Sequence, residues 1–243
     1  MPHVIVLAAG KGARMRSELP KVLHPVDGVP MIERVLKVAD ALAPRPIIVV
    51  GHRATEVMRA VGEDRAYALQ VEQRGTGDAV RCALAAFPAE DGAVVVLPGD
   101  HPFVTADTIR RLVDAREADD AAVALATARL PDFDGPRAQF SSCGRIIRDA
   151  DGSVSGIVER KDATKHQARI REVNVSYYCF RADWLKENID RIVSDNAAGE
   201  RYLTDLVAAA ASQGERISDI ALHDLREGMG VNTPEQLEAA AFA

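Results

Sequence analysis

Three short runs of β-branched and aliphatic residues, Val4–Ala9, Ile47–Gly51 and Val94–Leu97, set the tightest limit on what this chain can become. Each is apolar at nearly every position rather than at alternate ones, so each reads as a strand covered on both faces. Helix-period stretches lie between and after them, at Met31–Leu42, Thr55–Val61, Ala79–Phe87 and Thr108–Ala118; Tyr67–Val71 and Ala122–Ala128 read as two further strands. Buried strands alternating with helices predict an α/β fold with a doubly wound, mostly parallel sheet and right-handed crossovers. Ligands of such sheets sit beyond the carboxyl ends of the strands, so the residues just after each strand carry the functional information.

The second half changes character. Arg145–Arg148, the turn Asp149–Gly152 and Val154–Glu159 predict a β-hairpin; Val173–Phe180 and Ile217–His223 read as strands, and Ala182–Val193, Leu203–Gln213 and Pro234–Ala241 as helices. Pro131–Ser142 is expected to be a long loop. The 243 residues, 47% of them hydrophobic, suit a single domain at 1–243 in which a smaller lobe elaborates one sheet.

A net charge of −6 argues against nucleic acid or an anionic membrane as partner. Functional cations must therefore be local. Cys82, Cys143 and Cys179 form no CxxC pair and lie near no histidine cluster, which favours free thiols in a reducing, cytoplasmic setting. No apolar run approaches the roughly 18–20 residues of a membrane helix.

One local concentration of charge stands out. In "VIVLAAGKGARMRSELPKVLHP", Val4 to Pro25, the first strand stops at Gly10 and is followed by Lys11, Arg14, Arg16 and Lys21. A glycine loop after a strand exposes backbone N–H groups and can cradle phosphate. Two common versions fail: Met15 stands where a dinucleotide fingerprint needs its third glycine, and no Gly-x-x-x-x-Gly-Lys-Ser/Thr occurs. A solvated basic turn is the plainer alternative. The loop's place after the first strand favours a polyanion, with Pro20 restricting the backbone beside Lys21; Lys11 and Arg16 are expected to face solvent.

"LAAGKGARM" followed by "LPKVLHPV" resembles the signature of the sugar-1-phosphate nucleotidylyltransferases. The similarity is greatest to the uridylyltransferase domain of the bifunctional N-acetylglucosamine-1-phosphate uridyltransferases/glucosamine-1-phosphate acetyltransferases. "VEQRGTGDAV", "PGDHPF", "CGRIIRDADGSVSGIVERKDAT", "REVNVSYY", "NAAGERYLTD" and "GVNTPEQL" agree in the same order, so the likeness covers nearly the whole chain.

The resemblance implies a Rossmann-like nucleotide-diphospho-sugar transferase fold with a small sugar-binding β lobe. Residues 1–130 would form a nucleotide-binding half and 131–243 a sugar-binding half. It implies Mg²⁺-dependent transfer of a uridylyl group from UTP to N-acetylglucosamine 1-phosphate, giving a cell-wall precursor and pyrophosphate. Arg14 and Lys21 would neutralise the triphosphate, and Leu7, Ala8, Ala9 and Gly10 would meet the nucleotide. Gln70, Gly75 and Thr76 would select the base, with Gly99 and Asp100 also at the nucleotide. Asp100 and Asn232 would bind Mg²⁺, and Gly144, Glu159, Asn174, Tyr202 and Thr204 would contact the sugar.

Each residue has a plainer alternative as a turn, cap or packing residue. For the base selectors it is a polar Gly-Thr-Gly turn, and for Asn232 a helix start. The hexapeptide repeats of the acetyltransferase part do not occur, so that activity is not expected, and a monomer or dimer is. Departures from the family pattern cluster at the sugar: Pro98, Cys143, Val175 and Ser176 replace its usual residues, and Ser176 stands where it has glycine. Another sugar or polyol phosphate is therefore the first alternative acceptor, and a non-catalytic nucleotide-sugar binder the second.

Overall fold

The computed structural model describes residues 1–89 and 91–241. The strands are β1 His3–Ala8, β2 Pro25–Val26, β3 Val29–Pro30, β4 Ile47–Val50, β5 Ala66–Leu69, β6 Ala93–Pro98, β7 Val123–Arg129, β8 Arg145–Arg148, β9 Val154–Val158, β10 Glu172–Arg181 and β11 Ile217–Ala221. The helices are α1 Met31–Asp40, α2 Ala54–Val61, α3 Thr76–Ala86, α4 Ala106–Ala118, α5 Ala182–Asn188, α6 Asp205–Ser212 and α7 Pro234–Ala240.

The main sheet runs in the order β11-β7-β10-β6-β1-β4-β5. β1 pairs in parallel with β4 and β6, β4 with β5, and β7 with β11; β10 alone along this path runs antiparallel, between β6 and β7. β8 and β9 form an antiparallel hairpin joined to the start of β10.

Continuous apolarity in the strands has the expected consequence. Val4 and Val6 of β1 pack into one core layer with Val35 and Leu36 of α1, Val57 of α2 and Leu112 of α4. Ile5, between them, packs into the other with Val80 of α3, Leu185 of α5 and Leu206 of α6. Period-2 alternation thus divides one strand between two helical layers. The mostly parallel α/β sheet is as the sequence predicts.

Three local expectations need correction. α3 begins at Thr76, three residues before the predicted Ala79. Glycines at 75 and 77 read as helix breakers, but the Gly77 N–H donates to Arg201 O at 2.8 Å and Thr76 Oγ1 accepts from the Leu203 N–H at 3.0 Å, which fixes this turn from outside. The α-helix predicted to run to Val193 ends at Asn188 and continues as a 3-10 turn over Ile189–Arg191. The expected loop after Pro131 contains a 3-10 segment, Gly135–Ser142.

That segment is held by a buried arginine. Arg145 is 1% exposed, and its guanidinium donates to the carbonyls of Ser141 (2.9 Å), Cys143 and Ala168 (3.4 Å) while lying 4.7 Å from the centre of the Phe133 ring. Backbone carbonyls rather than a carboxylate carry this cation, and burial holds its pKa below the usual arginine value. Arg145→Met strands those acceptors. It is expected to destabilise the protein by roughly 2–3 kcal/mol, seen in thermal denaturation as a Tm lower by roughly 5–10 °C. An unchanged Tm would show that the carbonyls find other donors.

Candidate active site

The carboxyl ends of β1 and β6 open into a cleft of about 920 Å³. Two backbone hydrogen bonds and one close approach bring its distant residues together. The Gly99 N–H donates to Leu7 O at 2.9 Å, joining the ends of β6 and β1, and the Val231 N–H donates to Asp100 O at 3.0 Å, placing Asn232 beside Asp100. Gly12, at φ +58°, lies so close to Lys21 that a Cβ there would stand 2.6 Å from the lysine Cβ. Only glycine lets the loop pass under Lys21 in this conformation. The next two residues, Val22 and Leu23, are buried and anchor the short 3-10 turn that carries Lys21.

At the centre, four side chains converge. Lys21 Nζ lies 2.6 Å from Asp100 Oδ2 and donates to Asn232 Oδ1 at 3.1 Å, and Arg14 Nη2 donates to the same Asn232 oxygen at 3.0 Å. Burial of Asp100 opposes its ionisation, but Lys21 and His101 outweigh it and hold the carboxyl below the usual range. A carboxylate oxygen and an amide oxygen thus converge on one ammonium group, the arrangement that two hard ligands of a divalent cation require. Among the described residues no group of three or more His, Cys, Asp or Glu could hold a metal. A cation here would take its other ligands from phosphate and water. Asp100 and Asn232 fit a Mg²⁺ ion on those terms. The helix-start role belongs to Thr233, whose hydroxyl accepts from the Gln236 N–H, rather than to Asn232.

One end of the cleft is shaped by Gln70, 3% exposed. Its Nε2 donates to Gly75 O at 3.0 Å and Asp78 Oδ2 at 2.9 Å. Both amide hydrogens are thereby used, and Oε1 remains as an acceptor. Asp78 keeps its charge despite burial because Gln70 and Arg81 hold its pKa down. Gly75, at φ +108°, lies against the Arg201 backbone, where a Cβ would come within 2.5 Å of the carbonyl oxygen. Gln73 turns back to the carbonyls of Gln70 and Val71.

The other end is built from β8, β9 and β10. The Asn174 N–H donates to Gly144 O at 3.0 Å, and the Thr204 hydroxyl donates to Glu159 Oε1 at 3.1 Å. Burial and the nearby Asp205, Asp162 and Glu200 raise the Glu159 pKa against this hydrogen bond. Cys143 lines the same wall, its thiol pushed up to about 12 by burial. Ser176 also lines it, in the left-handed conformation at φ +63°. Val175 turns the other way and is buried in the core.

The structure thus brings Leu7, Ala9, Gly10, Arg14, Lys21, Gln70, Gly75, Thr76, Asp100, Gly144, Glu159, Asn174, Thr204 and Asn232 to one cleft. Ala8, Gly99 and Tyr202 do not line it; Ala8 packs into the core beneath the loop, and Gly99 stitches β6 to β1. Lys11, expected in solvent, is exposed yet stands on the cleft rim, and Arg160, Lys161, Gln139 and Tyr178, which the sequence does not mark as site residues, also line the cleft. The run "ERK" after the hairpin was the available signal for Arg160 and Lys161. Among the described lining residues, Lys11, Arg14, Lys21, Arg160 and Lys161 outnumber Asp100, Glu159 and Glu200, so the cleft favours an anion on an acidic chain.

The family model of the MobA-like NTP transferase domain matches residues 4–132. Among curated relatives, the chain is similar to the bifunctional protein GlmU of Kineococcus radiotolerans, 46% identical over 239 residues covering 96% of this chain and 47% of the relative. It is similarly related to those of Geobacter metallireducens, 45% identical over 98% of this chain and 50% of the relative, and Enterococcus faecalis, 40% identical over 98% and 51%. The chain spans about half the length of these relatives.

Proposed function

The chain belongs to the MobA-like NTP transferase family, and on that premise we propose that it transfers a uridylyl group from UTP to N-acetylglucosamine 1-phosphate, with Mg²⁺, releasing pyrophosphate. The convergence of Arg14 and Lys21 with Asp100 and Asn232, midway between the two ends of the cleft, carries this reading. A sugar phosphate with a second pKa near 6 is already a dianion at neutral pH, so its attack on the α-phosphorus needs no general base. What it needs is alignment with the triphosphate and relief of repulsion between two polyanions.

Arg14 and Lys21 supply that relief, holding the triphosphate and stabilising charge as it moves onto pyrophosphate. Asp100 and Asn232 would hold the Mg²⁺, which when bound neutralises phosphate charge and orients the phosphoryl oxygens. Gln70 favours uracil: with its Nε2 committed to Gly75 and Asp78, its Oε1 accepts the base N3–H, which a neutral cytosine lacks. Gly144, Glu159, Asn174 and Thr204 take the sugar. The free thiols of Cys82, Cys143 and Cys179 suit a reducing cytosol.

The test is pyrophosphate release with each nucleoside triphosphate against a panel of sugar 1-phosphates in Mg²⁺. The expected outcome is greatest kcat/KM for UTP with N-acetylglucosamine 1-phosphate. Turnover with another sugar phosphate and none with this one would replace the acceptor, an outcome that Cys143 and Ser176 on the sugar wall make the leading alternative. Nucleotide-sugar binding without turnover would support the non-catalytic reading.

A further inference from the structure

Tyr178 lies on the sugar wall of the cleft, 3% exposed, its ring stacked on Phe180 at 5.7 Å. β10 is irregular just before it. Asn174 pairs with Thr127 and Tyr178 with Leu125, so β10 places three residues where β7 places one. Ser176 sits within this bulge at φ +63°. In a regular strand, residues four apart lie about 13 Å from each other. Here the bulge folds the strand enough for Asn174 Nδ2 to donate to the Tyr178 hydroxyl at 2.6 Å. Re-aiming a side chain is a recurrent use of such bulges.

The direction of that hydrogen bond is fixed. Asn174 Oδ1 accepts the Ser176 N–H at 3.0 Å, which turns Nδ2 toward Tyr178. An amide nitrogen only donates, so the tyrosine oxygen accepts and its proton is left for another partner. The Ser176 side chain also hydrogen-bonds the Tyr178 oxygen in the sense that favours the phenolate, as a donor to it, so Asn174 and Ser176 both leave the phenol proton to a ligand. Burial, with Glu159 nearby, raises the phenol pKa and keeps that proton in place. Glu159 itself accepts from Thr204 on Oε1, with Oε2 beside Gly144. The wall therefore offers one donor, Tyr178, close to one acceptor, Glu159.

We infer that Tyr178 is a specificity-determining residue of the acceptor site: its hydroxyl donates to a sugar hydroxyl that in turn donates to Glu159. The inference rests on the proposed sugar-phosphate reaction. A hydroxyl is the group that can satisfy both at once, since it gives one hydrogen bond and takes another.

The test compares the unsubstituted chain with Tyr178→Phe, which keeps the ring and removes only the hydroxyl. KM is measured for UTP and for N-acetylglucosamine 1-phosphate and its 3-, 4- and 6-deoxy analogues. The expected result is a KM for the sugar phosphate raised about tenfold, with the KM for UTP unchanged as the sign of an intact fold. With one deoxy analogue the substitution should make no further difference, the non-additivity that marks a direct partner. Asn174→Asp gives a second route: its carboxylate draws the Tyr178 proton to itself and should reproduce the loss, with the same analogue insensitive, even if Tyr178→Phe fails to fold. A loss equal with every analogue, or an unchanged sugar KM, overturns the inference while leaving the reaction in place. No turnover by the unsubstituted chain with any of these sugar phosphates overturns the acceptor reading and this inference with it.

Discussion

Lys21→Ala is expected to lower kcat by roughly 10²–10³-fold, the usual loss when a donor aimed at developing phosphate or oxyanion charge is removed. The argument does not depend on charge alone. Lys21 joins the Asp100 and Asn232 oxygens at the centre of the cleft, at 2.6 and 3.1 Å, so its loss also strands Asp100, which is 8% exposed. A buried carboxylate deprived of its partner destabilises a protein by about 3–5 kcal/mol. The variant should therefore melt earlier than the unsubstituted chain in metal-free buffer. Adding Mg²⁺ should recover much of that difference, because Asp100 and Asn232 then face each other with no ammonium between them. Thermal denaturation with and without Mg²⁺ reads this directly, apart from any turnover. A Tm indifferent to Mg²⁺ would remove Asp100 and Asn232 as a metal pair, and unchanged kcat would remove Lys21 from the reaction.

Asp100→Asn separates the charge of that pair from its shape. The amide still accepts from Lys21, so the fold should hold, but a divalent ion held by Asp100 and Asn232 would lose its anionic protein ligand. Turnover is expected to fall by roughly 10²–10⁴-fold, corresponding to several kcal/mol of charge stabilisation, and the Mg²⁺ concentration for half-maximal rate should rise. Pyrophosphate release measured across a Mg²⁺ titration checks both. A variant with normal rate and normal Mg²⁺ dependence would place the metal elsewhere.

The parts of this molecule that sequence reveals are those whose cause is local. β1, β4 and β6 announce themselves because burial on both faces admits little besides aliphatic side chains. The loop cations stand out because Gly10, Gly12 and Pro20 break the pattern around them. That Arg14 meets Asn232, 218 positions away, is legible only through the order of motifs in the chain, since nothing near either residue specifies the other. The direction of β10 is not legible at all: "EVNVSYYCFR" suits a strand running either way, and its neighbours decide. The 3-10 segment Gly135–Ser142 reads as a loop because Arg145, which ties it down, acts from outside it. The hairpin of β2 and β3 has only two residues in each strand, too few for a period-2 pattern to mark, although Asp27-Gly28, at positive φ values of 49° and 77°, makes the two-residue turn that this pair favours.

Ser176 shows a different limit. Its identity suggests that the backbone should avoid the glycine-like conformation, yet it adopts φ +63°. The Asn174 carboxamide accepts its N–H and offsets the strain. A residue that breaks a local preference beside a ligand wall is one whose neighbours compensate for it, and those neighbours lie in the fold.

The antiparallel strand in the middle of the sheet has a consequence for how the chain is made. β6 is complete at Pro98 and β7 at Arg129, but the strand that bonds to both does not end until Arg181. At the usual pace of synthesis a ribosome takes roughly three to ten seconds to cover that interval. Throughout it, the hydrogen-bonding edges of Ala93–Pro98 and Val123–Arg129 stand open to any other nascent strand. The growing polypeptide is thus most vulnerable to association midway through its birth; a single ten-residue strand then closes the facing edges of both strands at once, and the outer edge of Val123–Arg129 waits for Ile217–Ala221.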